Sequence, residues 1–457
     1  MIEAQLNSQE ATSLRRIIRI ASPAIITMVS VNIMQFADRT FLARYDLAHF
    51  TASMPAGIYS FALLSVFLGI TGFVANLVAQ YYGARQSPEC ARATWQGVYF
   101  SLLCGTLLLA LSPAAVRLFR AVGHAENLIP LESQYFYCMI VSGLFHLLGN
   151  SLAGFFNGIG KTRIPMVAAV IANGFNILMN WILIFGKLGM PALGILGAGI
   201  ASALGGLVSV ILLAAIFLSR SNRSNYGTLR AHGIQRGILG KLLRFGMPAG
   251  VQFFLDMAAL SIFVLLIGTL GEIELSATNM AFTIESVAFM PLMGLSLGVS
   301  IIAGQEMGAR RPMNVYKVAR KGIAVGVVFN TALVFVFLFL PDVLMSVFNS
   351  GREIEKFSQI QQYAKPLIQL AAAWIFFDAI AIVVSGTLRA VGDTVFLMAT
   401  IGILSLLIIV IPSYVLIAVL HKPVIYAWLL IVVYVVVLCF VFLVRFYRGK
   451  WEKIQVM

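Results

Sequence analysis

Continuous apolar runs of about 20 residues, each long enough to cross a bilayer core ~30 Å thick as a helix, recur along this 457-residue chain, divided by short polar clusters. Twelve spans are expected, near 17–41, 52–80, 95–116, 133–155, 165–186, 195–219, 246–270, 277–304, 322–341, 364–388, 395–420 and 423–445. The runs do not alternate, which argues against a β-barrel, and a helix satisfies its own backbone in lipid. Composition agrees. Only 11% of residues are charged and 60% are hydrophobic, whereas a soluble domain carries roughly 25% charge. The expected fold is an all-α polytopic membrane protein.

A net charge of +14 would suggest nucleic acid as the partner of a soluble protein. Here its distribution follows topology instead. Twelve spans place the N-terminus, the even-to-odd loops and the C-terminus on one side, and 23 of the 32 lysines and arginines fall there, leaving 9 opposite. The positive-inside rule then puts residues 1 and 457 in the cytoplasm. Basic loops also attract anionic membrane lipids. No nucleic-acid partner is implied. The four cysteines (Cys90, Cys104, Cys138, Cys439) lack disulfide or CxxC spacing, and the five histidines form no metal motif. The first 16 residues are polar and span 1 has no small-residue cleavage site, so no removable signal peptide is expected.

The chain also repeats itself. At an offset of 225, Arg19, Pro23 and Ala24 match Arg244, Pro248 and Ala249, and Gly69 matches Gly294. Gln80-x-x-Gly83-Ala84-Arg85 matches Gln305-x-x-Gly308-Ala309-Arg310, and Gly97 matches Gly322. After a shift of seven, Gly154, Gly160 and Thr162 match Gly386, Gly392 and Thr394. An offset of six spans keeps both halves in the same orientation, as in parallel repeats related by an axis along the membrane normal. Two pseudo-symmetric six-helix lobes are expected, residues 1–230 and 231–457, with the basic stretch 220–244 as linker.

An ionised carboxylate at mid-bilayer costs about 2.5–3.5 kcal/mol even on a lenient scale, so acids inside spans carry the most information. They are Asp38 in span 1, Asp256 in span 7, Glu285 in span 8 and Asp378 in span 10; Glu306 and Asp393 fall at span ends and read as solvated. At 1.5 Å per residue, Asp256 and Asp378 both lie near the midplane of one lobe. Glu285 is nearer the outer face, just before a bend at Pro291. No Lys or Arg is expected deep in these spans. Three acids so placed cannot all stay ionised cheaply, and they should hold a shared proton or a cation. A Na⁺ site and a proton site fit equally.

The other lobe differs. Asp38 is preceded by Asn32 and Gln35, and Asn173, Asn176 and Asn180 share one face of span 5. Asn180 and Ser202 fall at similar depth in spans 5 and 6. Buried amides are costly in hydrocarbon unless paired, so a polar pocket around Asp38 is expected, with helix–helix adhesion the blander role for the asparagines. His146 reads as a satisfied interior histidine. The repeat aligns Asp38 with Phe263, Asp256 with Val31, Glu285 with Ser60 and Asp378 with His146. The halves share a scaffold and not their acids.

Over nearly its whole length the chain resembles the multidrug and toxic compound extrusion (MATE) transporters, most closely their NorM-like branch. The resemblance rests on Pro248-x7-Asp256 in span 7 and Asp378-Ala379 in span 10. It rests also on Ser385-Gly386-x-Leu388-Arg389 closing on Asp393, the duplicated Q-x-x-G, and Asp38 with Asn176-Ile177-x-x-Asn180. It implies an efflux antiporter of the plasma (inner) membrane that exchanges amphipathic organic cations for Na⁺ or H⁺ by alternating access, a monomer without cofactor and not an enzyme. Asp256 and Asp378 would form the cation site, which could take Na⁺, with Glu285 beside them. Asp38 with Asn176, Asn180 and Ser202 would form a proton- or substrate-linked site. Two departures stand out: Asn180 occupies a place where another branch has an acid, and Glu285 is an acid that NorM-like members commonly lack. A lipid-linked oligosaccharide flippase of the same superfamily is the nearest rival, opposed by the acidic sign of the buried charges. An intramembrane enzyme would need a nucleophile–base pair or metal ligands at depth, and none is visible.

Overall fold

The computed structural model describes residues 12–121, 126, 128–348 and 354–456; the expectation for residues 1 and 457 lies outside them. Among the described residues, twelve helices are long and apolar enough to cross a membrane. In chain order the helices are α1 (Leu14–Tyr45), α2 (Leu47–Gly83), α3 (Ser87–Ala121), α4 (Ile129–Gly158), α5 (Arg163–Phe185), α6 (Ile195–Phe217), the short α7 (Arg220–Tyr226) and α8 (Arg236–Gly268). There follow α9 (Glu272–Gly308), α10 (Pro312–Phe339), the short α11 (Pro341–Ser346), α12 (Ile354–Ala390), α13 (Thr394–Val419) and α14 (Val424–Tyr447).

Local chemistry sets the ends of these helices. The Asp46 carboxylate accepts from the backbone N–H of Ala48 (2.7 Å) and His49 (3.2 Å), capping α2. Helix α13 is irregular: two π-helical stretches, 405–410 and 415–419, flank the turn holding Pro412. Proline removes a backbone donor, and its carbonyl partner must be re-satisfied by local adjustment.

The sequence repeat extends to the backbone. Arg85 and Arg310 both adopt left-handed geometry (φ 59° and 57°). Gln86 N–H donates to Tyr81 C=O, as Arg311 N–H donates to Glu306 C=O, both at 2.9 Å. Gly160 and Gly392 repeat a second left-handed turn (φ 80° and 92°). The Q-x-x-G copies also pack against one another. A Cβ on Gly83 would stand 1.9 Å from the Gln305 carbonyl oxygen, and one on Gly308 would stand 2.0 Å from that of Gln80. Only glycine allows so close a backbone approach. Gln305 is fixed there by donating to Gly158 C=O at 2.8 Å.

The chain forms two compact units. One comprises Ile26–Val251 with Gly304–Arg311; the other comprises, among the described residues, 12–25, Gln252–Ala303 and Pro312–Gln455. In the first, α2, α3 and α4 enclose a core that includes Leu64, Cys104, Phe136 and Leu147. The linker is not loose in this unit. Trp95 Nε1 donates to Thr228 C=O at 2.7 Å, and Gln96 donates to Gly233 C=O and accepts from Gln235 N–H. In the second unit, Ile17, Ile20 and Ala21 of α1 pack with Leu292, Leu295 and Val299 of α9 and with Val383 of α12.

Two acids read as solvated are buried: Glu306 is 5% exposed and Asp393 is 4% exposed. Asp393 owes its burial to Arg445 of α14, whose Nε and Nη2 donate to its two carboxylate oxygens at 2.7 and 3.0 Å. A bidentate guanidinium replaces the water that a carboxylate at a span end would otherwise need.

Candidate functional site

The polar side chains of the first unit converge where α1, α5 and α6 meet. Asn176 and Asn180 are one helical turn apart on α5, and both are buried. Asn180 Nδ2 donates to Asp38 Oδ1 on α1 and to Asn176 Oδ1 at 2.9 Å. Asn176 Nδ2 reaches the Ser202 hydroxyl of α6 at 3.5 Å, and that hydroxyl donates to Ala198 C=O at 3.1 Å. Asp38, Asn180, Asn176 and Ser202 therefore form one continuous network, as their spacing predicts. Asn173 lies apart from it and donates to the Ser30 hydroxyl at 2.8 Å. The Asn180 Oδ1 atom is buried without a donor. An enclosed acceptor beside a carboxylate suits a site that takes up a proton or a cation. Tyr135 of α4 also lies within electrostatic reach of Asp38.

The second unit groups its acids around α8, α9 and α12. Asp378 lies within electrostatic reach of Asp256, and Glu285 within reach of Asp378. The three acids that the sequence singles out are thus linked in a chain, Glu285 to Asp378 and Asp378 to Asp256. Among the described residues, no three His, Cys, Asp or Glu side chains converge closely enough to hold a metal ion by themselves. A Na⁺ ion bound here would need neutral oxygens or water in its coordination shell, and a hard cation accepts both.

Three further residues belong to this group and were not placed in it from sequence. Tyr434 of α14 is within electrostatic reach of both Asp256 and Asp378. Gln252, one turn before Asp256 on α8, hydrogen-bonds that acid. Arg389, expected among the cytoplasmic loop cations, instead ends α12, with its guanidinium turned to the acids. Its Nη2 donates to Gln252 Oε1 at 3.4 Å, and its charge acts on Asp256. The expectation that no basic side chain enters this region is therefore corrected. The reason is geometric: α12 stays helical to Ala390, and helical side chains tilt toward the N-terminus, here toward the bilayer interior. Asp378 and Arg389 are eleven residues apart, about three turns, and so share a face.

The model of the MatE family matches residues 23–182 and 248–415. A protein of Thermotoga maritima named "Probable multidrug resistance protein NorM" is 24% identical over 99% of this chain and 96% of its own length. One of the same name from Pseudomonas aeruginosa is 27% identical over 85% of this chain and 80% of its own. The solved structure described as the outward-facing conformation of a multidrug resistance MATE family transporter of the MOP superfamily superposes with a TM-score of 0.87. It covers 98% of this chain and 99% of that one at 20% identity.

Proposed function

The chain belongs to the MatE family, and we propose that it is a multidrug efflux antiporter, exporting amphipathic organic cations in exchange for Na⁺ or H⁺ by alternating access. The relatives' names support export of drugs. The observation that carries the ion coupling is the Asp256–Asp378–Glu285 chain, three acids on membrane-spanning helices of one unit, with Asp256 in electrostatic reach of Asp378 and Asp378 in reach of Glu285. Carboxylates removed from water must take a proton or a cation. Asp256 and Asp378 are assigned the coupling ion, with Glu285 adjoining. Asp38, Asn176, Asn180 and Ser202 are assigned a separate proton- or substrate-linked role. The reading places the protein in the plasma (inner) membrane as a monomer with cytoplasmic termini and lobes 1–230 and 231–457.

A coupling ion drives transport only by favouring one state of the carrier over the other. The test is the ion concentration that half-activates efflux of a fluorescent organic cation from reconstituted vesicles, measured separately under Na⁺ and pH gradients. Asp256→Asn and Asp378→Asn should each raise that concentration about tenfold or more, and the double variant little further, because the two acids serve one site. Unchanged ion dependence in all three variants would refute the assignment.

A further inference from the structure

Arg389 is the one charged group of the second unit's site for which ion coupling gives no evident use. A transporter that binds its coupling ion on carboxylates has reason to exclude a fixed cation from them, since a guanidinium is charged at every working pH. Yet the Arg389 charge acts on Asp256. Among the described residues no ion pair joins the two. The guanidinium instead makes a long 3.4 Å hydrogen bond to Gln252 Oε1, and Gln252 bonds Asp256. Its Nε is enclosed with no acceptor at all. A buried donor without an acceptor is an unstable resting place, and the neighbouring charged acceptor is the Asp256 carboxylate, to which Gln252 also bonds. Gln252 and Asp256 stand four residues apart on one face of α8, so the amide and the acid offer Arg389 two neighbouring acceptors.

We propose that Arg389 is a tethered counter-cation that competes with the coupling ion for Asp256: displaced onto Gln252 when the ion is bound, and closing on the carboxylate when the ion leaves. The proposal rests on the assignment of Asp256 and Asp378 to the coupling ion. It supplies what that assignment lacks, a means of releasing a cation from acids in a low-dielectric site without leaving Asp256 as a bare charge. Arg389 is a positioning residue that touches neither substrate nor ion.

A tethered competitor has opposite effects on affinity and on turnover, which a merely structural arginine does not. Arg389→Gln removes the competing charge. The Na⁺ or H⁺ concentration that half-activates efflux should fall on the order of tenfold, while the maximal rate falls because release is slowed. Arg389→Lys keeps the charge, and its half-activating concentration should stay within about threefold of the parent protein. Binding of Na⁺ to the purified full chain by titration calorimetry, with pH-jump proton uptake as the alternative probe, gives the affinity without transport. In an Asp256→Asn background, Arg389→Gln should change the affinity little, because the pair acts as one unit. Weaker or unchanged ion affinity in Arg389→Gln, with Asp256→Asn still impairing ion binding, overturns the proposal and leaves the acid assignment standing. Unaltered ion binding in Asp256→Asn overturns both. Should Arg389→Gln not accumulate as folded protein, the lysine variant decides: a tenfold loss of ion dependence despite the retained charge would show that shape, not charge, is what Arg389 supplies.

Discussion

Adding one methyl group to Gly83 or Gly308 tests whether the duplicated Q-x-x-G motif is a packing device. In each copy the new Cβ would lie about 2 Å from a backbone carbonyl oxygen of the other copy, where ordinary contact begins at 3.4 Å. The neighbour is main chain, so no rotamer change relieves the clash, and the helix ends must separate by about 1.4 Å. Overpacking a well-filled interior costs ~1–3 kcal/mol, and a rigid neighbour places these sites toward the upper end. Alanine's better helix propensity returns at most ~1 kcal/mol, leaving a net loss of about 2 kcal/mol for either Gly83→Ala or Gly308→Ala. The double variant should lose less than the sum, because the first methyl already opens the shared contact. Gly174, inside α5, has nothing within 4 Å of its would-be Cβ, so Gly174→Ala should be neutral or slightly stabilising. Thermal denaturation of the four purified variants in one detergent measures these effects, with Tm falling by a few degrees for each single Q-x-x-G variant. Parental stability in Gly83→Ala and Gly308→Ala, or additive losses in the double variant, would refute the reasoning.

The Asp393–Arg445 pair should matter comparably: Asp393→Asn leaves a guanidinium facing a neutral amide, and the expected loss is ~2–3 kcal/mol, read as a lower Tm. The figure sits low in the range for buried pairs because the Arg445 side chain retains 23% exposure. For topology, cysteines replacing Ser224 in α7 and Glu274 in α9 should react with a membrane-impermeant thiol reagent from opposite faces of sealed vesicles. Reaction of both from the same face would contradict the twelve-span map and the cytoplasmic termini.

The spans were legible because hydropathy alone decides whether a helix is stable in lipid. Their ends were less so. Helix α8 starts at Arg236, ten residues before the expected span, and includes Lys241 and Arg244. A helix continues through the polar headgroup region, where long cationic side chains reach water while their stems remain on the helix. The π-helical stretches of α13 left only one trace, Pro412, which signals a bend without its form. The polar network of Asp38 was readable from the i, i+4 step of Asn176 and Asn180 combined with depth matching across α6. Arg389 was misplaced because it was assigned to a loop by its distance from the end of an apolar run. Counting turns from Asp378 would have put it on the acid's face. The burial of Asp393 was not readable at all, since it depends on Arg445, 52 residues later.

What the two halves share and what they do not follow from different physics. The duplicated features are backbone ones: the left-handed turns at Arg85 and Arg310 and at Gly160 and Gly392, and the glycine contacts at Gly83 and Gly308. Gly69 and its counterpart Gly294 belong with them: a Cβ would meet Gly250 of α8 at 2.2 Å in one case and Ile25 of α1 at 2.6 Å in the other. Such positions resist change, because any side chain there must displace main chain. Side-chain chemistry carries no such constraint. The counterparts of Gln252, Asp256, Asp378 and Arg389 are Thr27, Val31, His146 and Asn157, which hold one ionisable group between them. Asp393, paired with Arg445, stands where the other half has Lys161. Close backbone packing thus preserves the common frame while the charged groups diverge on it. That divergence is why the acids of one unit and the amide network of the other are assigned separate tasks.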